Sequence, residues 1–156
     1  MTTPKTWHIT STSPNQTESL AAKLAGNLKG GEVIELISDL GGGKTTFVRG
    51  LVRGLDSTDT VNSPTFKISN VYRSPTLVIN HFDLYRLPEP GLVSYELSEV
   101  MADDQSVTLI EWAEGATKVL PKKRLTIKFE PTSEHGRQIT FYYPIDLTYL
   151  IKGLEE

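Results

Sequence analysis

The sequence predicts an α/β fold in which helices flank a central, largely parallel β-sheet. Three observations predict it. The run 33–37 is rich in branched apolar residues, which is typical of a strand buried on both faces. A glycine-rich turn follows it, and apolar residues at helical spacing come next. A second apolar run, 107–110, stops at an acidic residue, as expected of a strand that ends at the ligand-binding edge of a parallel sheet.

The first predicted helix begins at a proline. Ser13 is a good N-cap, and Pro14 fits the first helical position. Gln16 stands where a capping box needs it. We expect this helix to end at the glycine pair Gly30-Gly31. Its apolar stripe consists of Leu20, Ala21, Leu24, Ala25 and Leu28.

The remaining elements are predicted from apolar periodicity and turn residues. A second helix starts at Lys44, has apolar residues at helical spacing from Phe47 onward, and ends near Gly54. The segment 87–102 is predicted to be a loop with a short helix, and 145–154 a closing helix. Besides 33–37, strands are predicted at 66–72, 76–82, 107–110, 125–129 and 138–142.

Length and composition limit what the chain can be. With 156 residues, 38% of them hydrophobic and 22% charged, we expect one globular domain over 1–156. The formal net charge is -3, so the basic surface of a stand-alone nucleic-acid-binding protein is missing. The chain has no cysteine, which excludes disulfides, cysteine nucleophiles and thiolate metal sites. Because it has no long apolar segment and no leader-like N-terminal residues, we expect a soluble, cytoplasmic protein.

The segment from Ser38 to Thr45 has the pattern of a phosphate-binding loop. It reads S-D-L-G-G-G-K-T and fits G-x-x-x-x-G-K-[ST] at every fixed position except the first, where serine replaces glycine. Glycines let backbone N–H groups surround a phosphate, and the N-terminus of the next helix favours an anion. Lys44 would bind the β- and γ-phosphates, and Thr45 would offer its hydroxyl to Mg²⁺. A flexible turn is the alternative, but a turn does not require lysine followed by a hydroxyl residue.

Two acidic residues are candidates for binding the metal ion and the attacking water. Asp83 ends the run 77–82, and Glu111 ends the run 107–110. Because the carboxyl ends of neighbouring parallel strands form the crevice of such a sheet, both side chains are expected near the phosphate loop. The alternative for each residue is an acidic side chain that lies in solvent at the end of a strand and has no functional role. A phosphate loop in the same chain favours the functional interpretation.

Other candidates follow from their position in the chain. Thr65 lies in a Ser-Pro-Thr segment between a helix and a strand, where phosphate-sensing threonines occur and ordinary turns occur as well. Trp112 directly follows Glu111 and either stacks on the base or ribose of a nucleotide or belongs to the core. Arg86 and Arg137 are candidate contacts for phosphate or for a partner, and the alternative for both is a solvated arginine.

Several of these segments together resemble one family. They are D-L-G-G-G-K-T-T-F at 39–47, S-P-T-F at 63–66, H-F-D-L-Y-R at 81–86 and I-E-W at 110–112. In this order they resemble TsaE, also called YjeE, over most of the chain. The resemblance implies a P-loop NTPase fold and Mg²⁺-dependent ATP hydrolysis. It also implies a role in the threonylcarbamoyladenosine modification at position 37 of tRNAs that read codons starting with A.

The resemblance implies partners as well. The chain would act in a complex with the TsaB and TsaD proteins, of which TsaD transfers the threonylcarbamoyl group. Its contact with tRNA would be indirect, through that complex, and it would not bind a membrane. Hydrolysis by the isolated chain is expected to be weak and to depend on these partners.

Site residues are implied one by one. Lys44 would bind phosphate, and Thr45 and Glu111 would hold Mg²⁺. Asp83 would be needed for hydrolysis, and Thr65 would belong to a switch segment that takes part in catalysis. Ser11 would contribute to the adenine pocket, Trp112 would lie near the nucleotide, and Arg137 would be the arginine of the late strand region. The nucleotide-binding residues implied are therefore Ser11, Gly41, Gly42, Gly43, Lys44, Thr45, Thr46, Trp112 and Arg137.

The loop departs from the family pattern G-D-L-G-A-G-K-T at Ser38 and Gly42. Serine needs backbone angles allowed to a residue with a Cβ, so loop rigidity or nucleotide affinity is expected to differ.

Two alternative functions stay open. A small-molecule kinase would need a lid, for which only 84–102 is long enough, with Arg86 as its sole arginine. The other alternative is a nucleotide-gated binding module. In such a module Asp83 and Glu111 would serve the structure, and hydrolysis would be vestigial.

Overall fold

A seven-stranded mixed sheet forms the centre of the protein. The structure is a computed structural model that describes residues 3–38, 43–62, 68–85, 93–113 and 119–155. The strands are β1 (Lys5–Ser11), β2 (Val33–Ile37), β3 (Ser69–Arg73), β4 (Val78–Asp83), β5 (Ser106–Glu111), β6 (Leu125–Pro131) and β7 (Arg137–Tyr143). The helices are α1 (Pro14–Ala25), α2 (Lys44–Gly54) and α3 (Ser94–Met101), followed by a 3₁₀ helix, Ile145–Ile151. None of the described helices is long and apolar enough to cross a membrane.

The strands are arranged in the order β1-β7-β6-β2-β5-β4-β3. β2 pairs in parallel with β6 on one side and β5 on the other, and β5 pairs in parallel with β4. The strands outside this group are antiparallel to their neighbours. The predicted α/β fold with a largely parallel centre is therefore confirmed. It brings the carboxyl ends of β2, β4 and β5 to one edge of the sheet, where such folds bind their ligands.

Helices α1 and α2 cover one face of the sheet and enclose the larger core, in which Phe47 and Leu109 are completely buried. The two helices approach closely at Gly50, where a Cβ would lie 2.3 Å from the carbonyl oxygen of Glu18. Only glycine leaves room for this contact. A smaller cluster on the opposite face packs α3 against the sheet through Leu97. The two layers fix α2, and hence its N-terminus, relative to the strand ends.

The first helix starts as predicted and ends earlier. The Ser13 side chain caps it, and Pro14 is its first residue. It ends at Ala25, with Gly26 as its C-cap. The predicted end at Gly30-Gly31 was wrong, because these two glycines have φ values of 108° and 86° and form the turn into β2 instead. The helix therefore stops before the glycine pair, at a C-cap whose backbone is still right-handed.

The strand β1 is an element that the sequence pattern did not predict. It lies at an edge of the sheet, where Trp7 and Ile9 pack against the core and Thr6 and His8 are exposed. The strand is short and most of its residues are polar, so its β-strand propensity is weak. Its stability therefore depends mainly on pairing with β7. The predicted closing helix is the 3₁₀ helix, which ends at Ile151.

The other predicted elements are present with shifted ends. The strands predicted at 76–82, 107–110, 125–129 and 138–142 correspond to β4, β5, β6 and β7. The strand predicted at 66–72 is observed as β3, and residues 63–67 lie outside the described part. The short helix predicted within 87–102 is α3.

Candidate nucleotide site

The predicted phosphate loop leads from β2 into α2. Residues 39–42, which include Gly41 and Gly42, lie outside the described part of the structure. Gly43 immediately precedes α2 with a φ of 103°, a left-handed conformation that favours glycine. Its carbonyl oxygen accepts a hydrogen bond from the N–H of Phe47 at 3.0 Å. Lys44 therefore stands at the N-terminus of a helix, where N–H groups without helical partners favour an anion.

The side chain of Lys44 is directed at the carboxyl end of β5. It is only 6% exposed, and its Nζ lies 3.4 Å from Glu111 Oε1. The same Nζ donates to the carbonyl oxygen of Ser38 at 3.4 Å and lies 4.6 Å from the ring centroid of Trp112. A buried ammonium needs such partners. These contacts hold one positive charge between the ends of β2 and β5.

The two acidic residues lie side by side on adjacent parallel strands. The register pairs Asp83 of β4 directly with Glu111 of β5. Glu111 is buried, at 4% exposure, whereas Asp83 is half-buried and accepts a hydrogen bond from the N–H of Tyr85 at 3.0 Å. The structure thus brings both predicted carboxylates to the edge at which Lys44 lies.

Sequence reasoning missed one side chain of this cluster, His81. It is completely buried, and its Nε2 is hydrogen-bonded to Glu111 Oε2. The signal that could have found it is the alternation of β4, which places residues 81 and 83 on the same face of the sheet. The histidines of the chain have no metal-ligand spacing along the sequence, and this one instead touches a carboxylate on a neighbouring strand.

The pKa values of the two carboxyl groups shift in opposite directions. Burial raises the pKa of Glu111, but the hydrogen bond and charge of His81 and the ammonium of Lys44 outweigh it, so the net shift is downward. Burial raises the pKa of Asp83, and the negative charge of Glu111 raises it further. The hydrogen bond from Tyr85 and the interactions with Lys44 and His81 only partly offset this increase. One acid is therefore held ionised while the other is the stronger base.

Trp112 lies beside the cluster and belongs to neither core group. It is half-buried, has a φ of 57°, and its ring centroid is 4.8 Å from that of Tyr85. A left-handed backbone is uncommon for a residue with a bulky side chain and is associated with functional sites. The structure therefore favours the interpretation that Trp112 lines the site over the interpretation that it is a core residue.

Arg137 and Ser11 lie next to each other near the phosphate loop. The register pairs these two residues at the ends of β7 and β1. A Cβ at Gly43 would be 3.6 Å from Arg137 Nε, so this guanidinium lies against the residue that precedes α2. The Ser11 hydroxyl is buried and lies 2.7 Å from Thr17 Oγ1. Arg137 therefore contacts the loop, whereas the Ser11 side chain is engaged with α1.

The remaining predicted residues are only partly described. Thr45 and Thr46 are half-buried residues in the first turn of α2. Thr65 and Arg86 lie outside the described residues, so the structure says nothing about either.

The donors at this edge suit Mg²⁺ bound together with a nucleotide. In the described part of the chain, no three His, Cys, Asp or Glu side chains are grouped so that they could hold a metal ion. Mg²⁺ at nucleotide sites takes one or two protein oxygens and completes its shell with phosphate oxygens and water. The Glu111 carboxylate and the Thr45 hydroxyl are oxygen donors of this kind, on strand and helix ends that meet at Lys44.

Comparison with known proteins gives a consistent result. The model of the family described as "Threonylcarbamoyl adenosine biosynthesis protein TsaE" matches residues 11–139. A relative from Bacillus subtilis, named tRNA threonylcarbamoyladenosine biosynthesis protein TsaE, is 38% identical over 132 residues, which is 82% of this chain and 80% of the relative. A relative of the same name from Streptomyces coelicolor is 38% identical over 130 residues, which is 78% of this chain and 86% of the relative.

A solved structure resembles the whole chain. It is described as the crystal structure of YdiB from Bacillus subtilis and is 31% identical in sequence. The superposition covers 99% of this chain and 97% of the other, with a TM-score of 0.81.

Proposed function

The chain belongs to the TsaE family, which takes part in the threonylcarbamoyladenosine modification of tRNA, and we propose that it acts there as a Mg²⁺-dependent ATPase. One observation carries the proposal. A lysine at the N-terminus of α2 is paired with a buried glutamate at the end of β5, and an aspartate ends the adjacent parallel strand. A cation, a metal-binding carboxylate and a base at one edge of a parallel sheet are the groups that phosphoryl transfer to water needs.

Lys44 supplies the positive charge of this site. Its Nζ lies 3.4 Å from Glu111 Oε1. A triphosphate bound at the start of α2 would compete for the ammonium, because charge-assisted hydrogen bonds to phosphate are among the strongest polar contacts in proteins. Glu111 Oε1 would then be free to bind Mg²⁺ together with the Thr45 hydroxyl. The metal ion, when bound, neutralises charge on the phosphate oxygens.

Asp83 supplies the base. Burial and the negative charge of Glu111 raise its pKa, which makes this carboxylate a better proton acceptor than an exposed aspartate. Its pairing with Glu111 on the adjacent strand supports a role beside the metal ion, where an attacking water would lie. Asp83 therefore orients this water and accepts its proton, whereas Lys44 and Glu111 bind the nucleotide and its metal.

We propose ATP and Mg²⁺ as the ligands and the TsaB and TsaD proteins as the partners, in the cytoplasm. The formal net charge of -3 supports indirect contact with tRNA, because phosphate backbones are bound chiefly by clusters of cations. Hydrolysis would drive the complex through its cycle, and the partners would hold the tRNA. A kinase is less well supported, since the segment 84–102 that would form its lid has Arg86 as its only arginine.

Reconstitution tests the proposal. The purified chain, the TsaB and TsaD pair, and the two together are supplied with unmodified tRNA, ATP and an activated threonylcarbamoyl donor, and are assayed for ATP hydrolysis and for threonylcarbamoyladenosine in tRNA. We expect weak hydrolysis by the chain alone, stimulation by the pair, and modified tRNA over repeated cycles only when all three proteins and Mg²⁺ are present. Modification that proceeds equally well without the chain would overturn the role in the pathway. Absence of hydrolysis in the full mixture would overturn the ATPase.

A further inference from the structure

The carboxylate of Glu111 has two different neighbours, one on each oxygen. Oε2 is hydrogen-bonded to Nε2 of His81, and Oε1 lies 3.4 Å from Nζ of Lys44. The histidine contact lies deep in the sheet, since His81 is completely buried. The lysine contact lies at the start of α2, where the phosphate loop ends. One oxygen is therefore anchored inside the protein and the other faces the site.

The histidine is itself held in place. It stands in the middle of β4, paired with Asn70 on one side and Leu109 on the other. The ring of Tyr72 lies 6.3 Å from the imidazole ring, and the Tyr72 hydroxyl donates to the carbonyl oxygen of Asn62 at 2.8 Å. A side chain packed on a central strand in this way keeps one rotamer. The imidazole is thus a rigid support for the glutamate.

We propose that His81 is a positioning residue for the metal: by holding Oε2 of Glu111, it fixes the orientation in which Oε1 is presented to Mg²⁺. The inference rests on the proposed nucleotide site and adds a specific role within it. His81 touches neither nucleotide nor metal in this account. It acts through Glu111, whose carboxylate would otherwise have more freedom to rotate and would lose more ordering entropy when the ion binds.

The ring nitrogens of His81 make its role testable. Among the described residues, Nδ1 has no hydrogen-bond partner, so the contact with Glu111 is the polar contact that the ring makes there. Glutamine places an amide N–H near the position of Nε2, whereas asparagine places one near Nδ1 and does not reach Glu111. Both substitutions bury an amide of similar polarity. The pair His81→Gln and His81→Asn therefore differs mainly in the proposed contact.

The experiment measures metal binding rather than turnover. Wild type, His81→Gln, His81→Asn and the control His8→Asn, which changes an exposed histidine on β1, are titrated with Mn²⁺ and a non-hydrolysable ATP analogue, and free Mn²⁺ is followed by electron paramagnetic resonance. Binding of the analogue in EDTA is measured separately. Circular dichroism and urea unfolding check the fold of each variant.

We expect His81→Asn to weaken Mn²⁺ binding about 10- to 100-fold, the usual effect of removing a group that orients a metal ligand. His81→Gln and His8→Asn should stay within about threefold of wild type, and binding of the analogue in EDTA should be unchanged in all variants. Equal Mn²⁺ affinity in folded His81→Asn and His81→Gln would overturn the proposal. The proposal would also be overturned if His81→Asn lost affinity for the analogue equally with and without metal. A wild-type protein that binds no Mn²⁺ with the analogue would instead contradict the nucleotide site itself.

Discussion

Replacement of Lys44 by methionine removes the charge of the site while keeping much of the apolar length of the side chain. At the observed distance of 3.4 Å, the attraction between Lys44 and Glu111 is about 5 kcal/mol for an effective dielectric constant of about 20. Desolvation of both groups offsets much of this value. Glu111 also keeps its hydrogen bond to His81 in the variant. We therefore expect the free energy of unfolding to fall by about 1–3 kcal/mol, less than the ~3–5 kcal/mol for a buried charge left without any partner.

Thermal unfolding with and without nucleotide measures both consequences. For a domain of this size, 1 kcal/mol corresponds to about 2–4 °C, so Lys44→Met should unfold about 2–12 °C below wild type. A Mg²⁺-bound ATP analogue at about 100 times its Kd should stabilise the wild type by ~2.7 kcal/mol, or about 5–10 °C. In Lys44→Met, the analogue should raise the unfolding temperature by much less than it does in the wild type. Lys152→Met is the matched control, because Lys152 is exposed and follows the last helix.

Two results would contradict these expectations for Lys44. If the analogue stabilises Lys44→Met as much as it stabilises the wild type, the nucleotide binds somewhere other than the start of α2. If Lys44→Met without nucleotide is as stable as Lys152→Met, the buried ion pair with Glu111 does not contribute to the fold.

Three further predictions concern stability and are checked by urea unfolding. Tyr149 donates to Glu32 at 2.7 Å, so Tyr149→Phe should cost about 1–2 kcal/mol at neutral pH. Burial and Glu32 raise the pKa of Tyr149, so this stabilisation is complete below pH ~10, and wild type and variant should converge at higher pH rather than stay apart. Gly50→Ala would put a Cβ 2.3 Å from the carbonyl oxygen of Glu18 and should cost about 3 kcal/mol or more by forcing α1 and α2 apart; wild-type stability would contradict the packing. Burial raises the pKa of Glu111, but its contacts with His81 and Lys44 lower it overall from the usual 4.5. The stabilisation by Glu111 is therefore present above that pH and is lost as the pH falls through the lowered pKa. Glu111→Gln should therefore lose less stability than wild type on acidification, and parallel pH profiles would contradict this assignment.

The centre of the fold and the loop that enters α2 could be predicted from local sequence alone. The apolar run of β2, the glycines after it and the spacing from Phe47 onward each act within a few residues, so each leaves a readable pattern. The positions of Asp83 and Glu111 could also be anticipated, because a parallel sheet brings its strand ends to one edge. The sequence did not show that β5 would lie between β2 and β4 in the sheet.

The contacts that sequence reasoning missed all depend on pairing between distant segments. His81 meets Glu111 because β4 lies beside β5 in a particular register. The strand β1 was missed too, because it forms by pairing with the distant strand β7. β1 itself is mostly polar and gains its stability from β7 rather than from its composition. Such contacts follow from register, which a single sequence does not state.

The central claim is that one edge of the sheet both binds ATP and hydrolyses it, with Asp83 used for the second task alone. The most direct test is to measure ATP affinity and turnover in parallel for wild type and Asp83→Asn, in the presence of TsaB, TsaD and Mg²⁺. We expect a dissociation constant for ATP within about threefold of wild type, and turnover lower by about 100-fold or more, as is usual when a positioned base is lost. Unchanged turnover, or affinity and turnover that fall together, would contradict it.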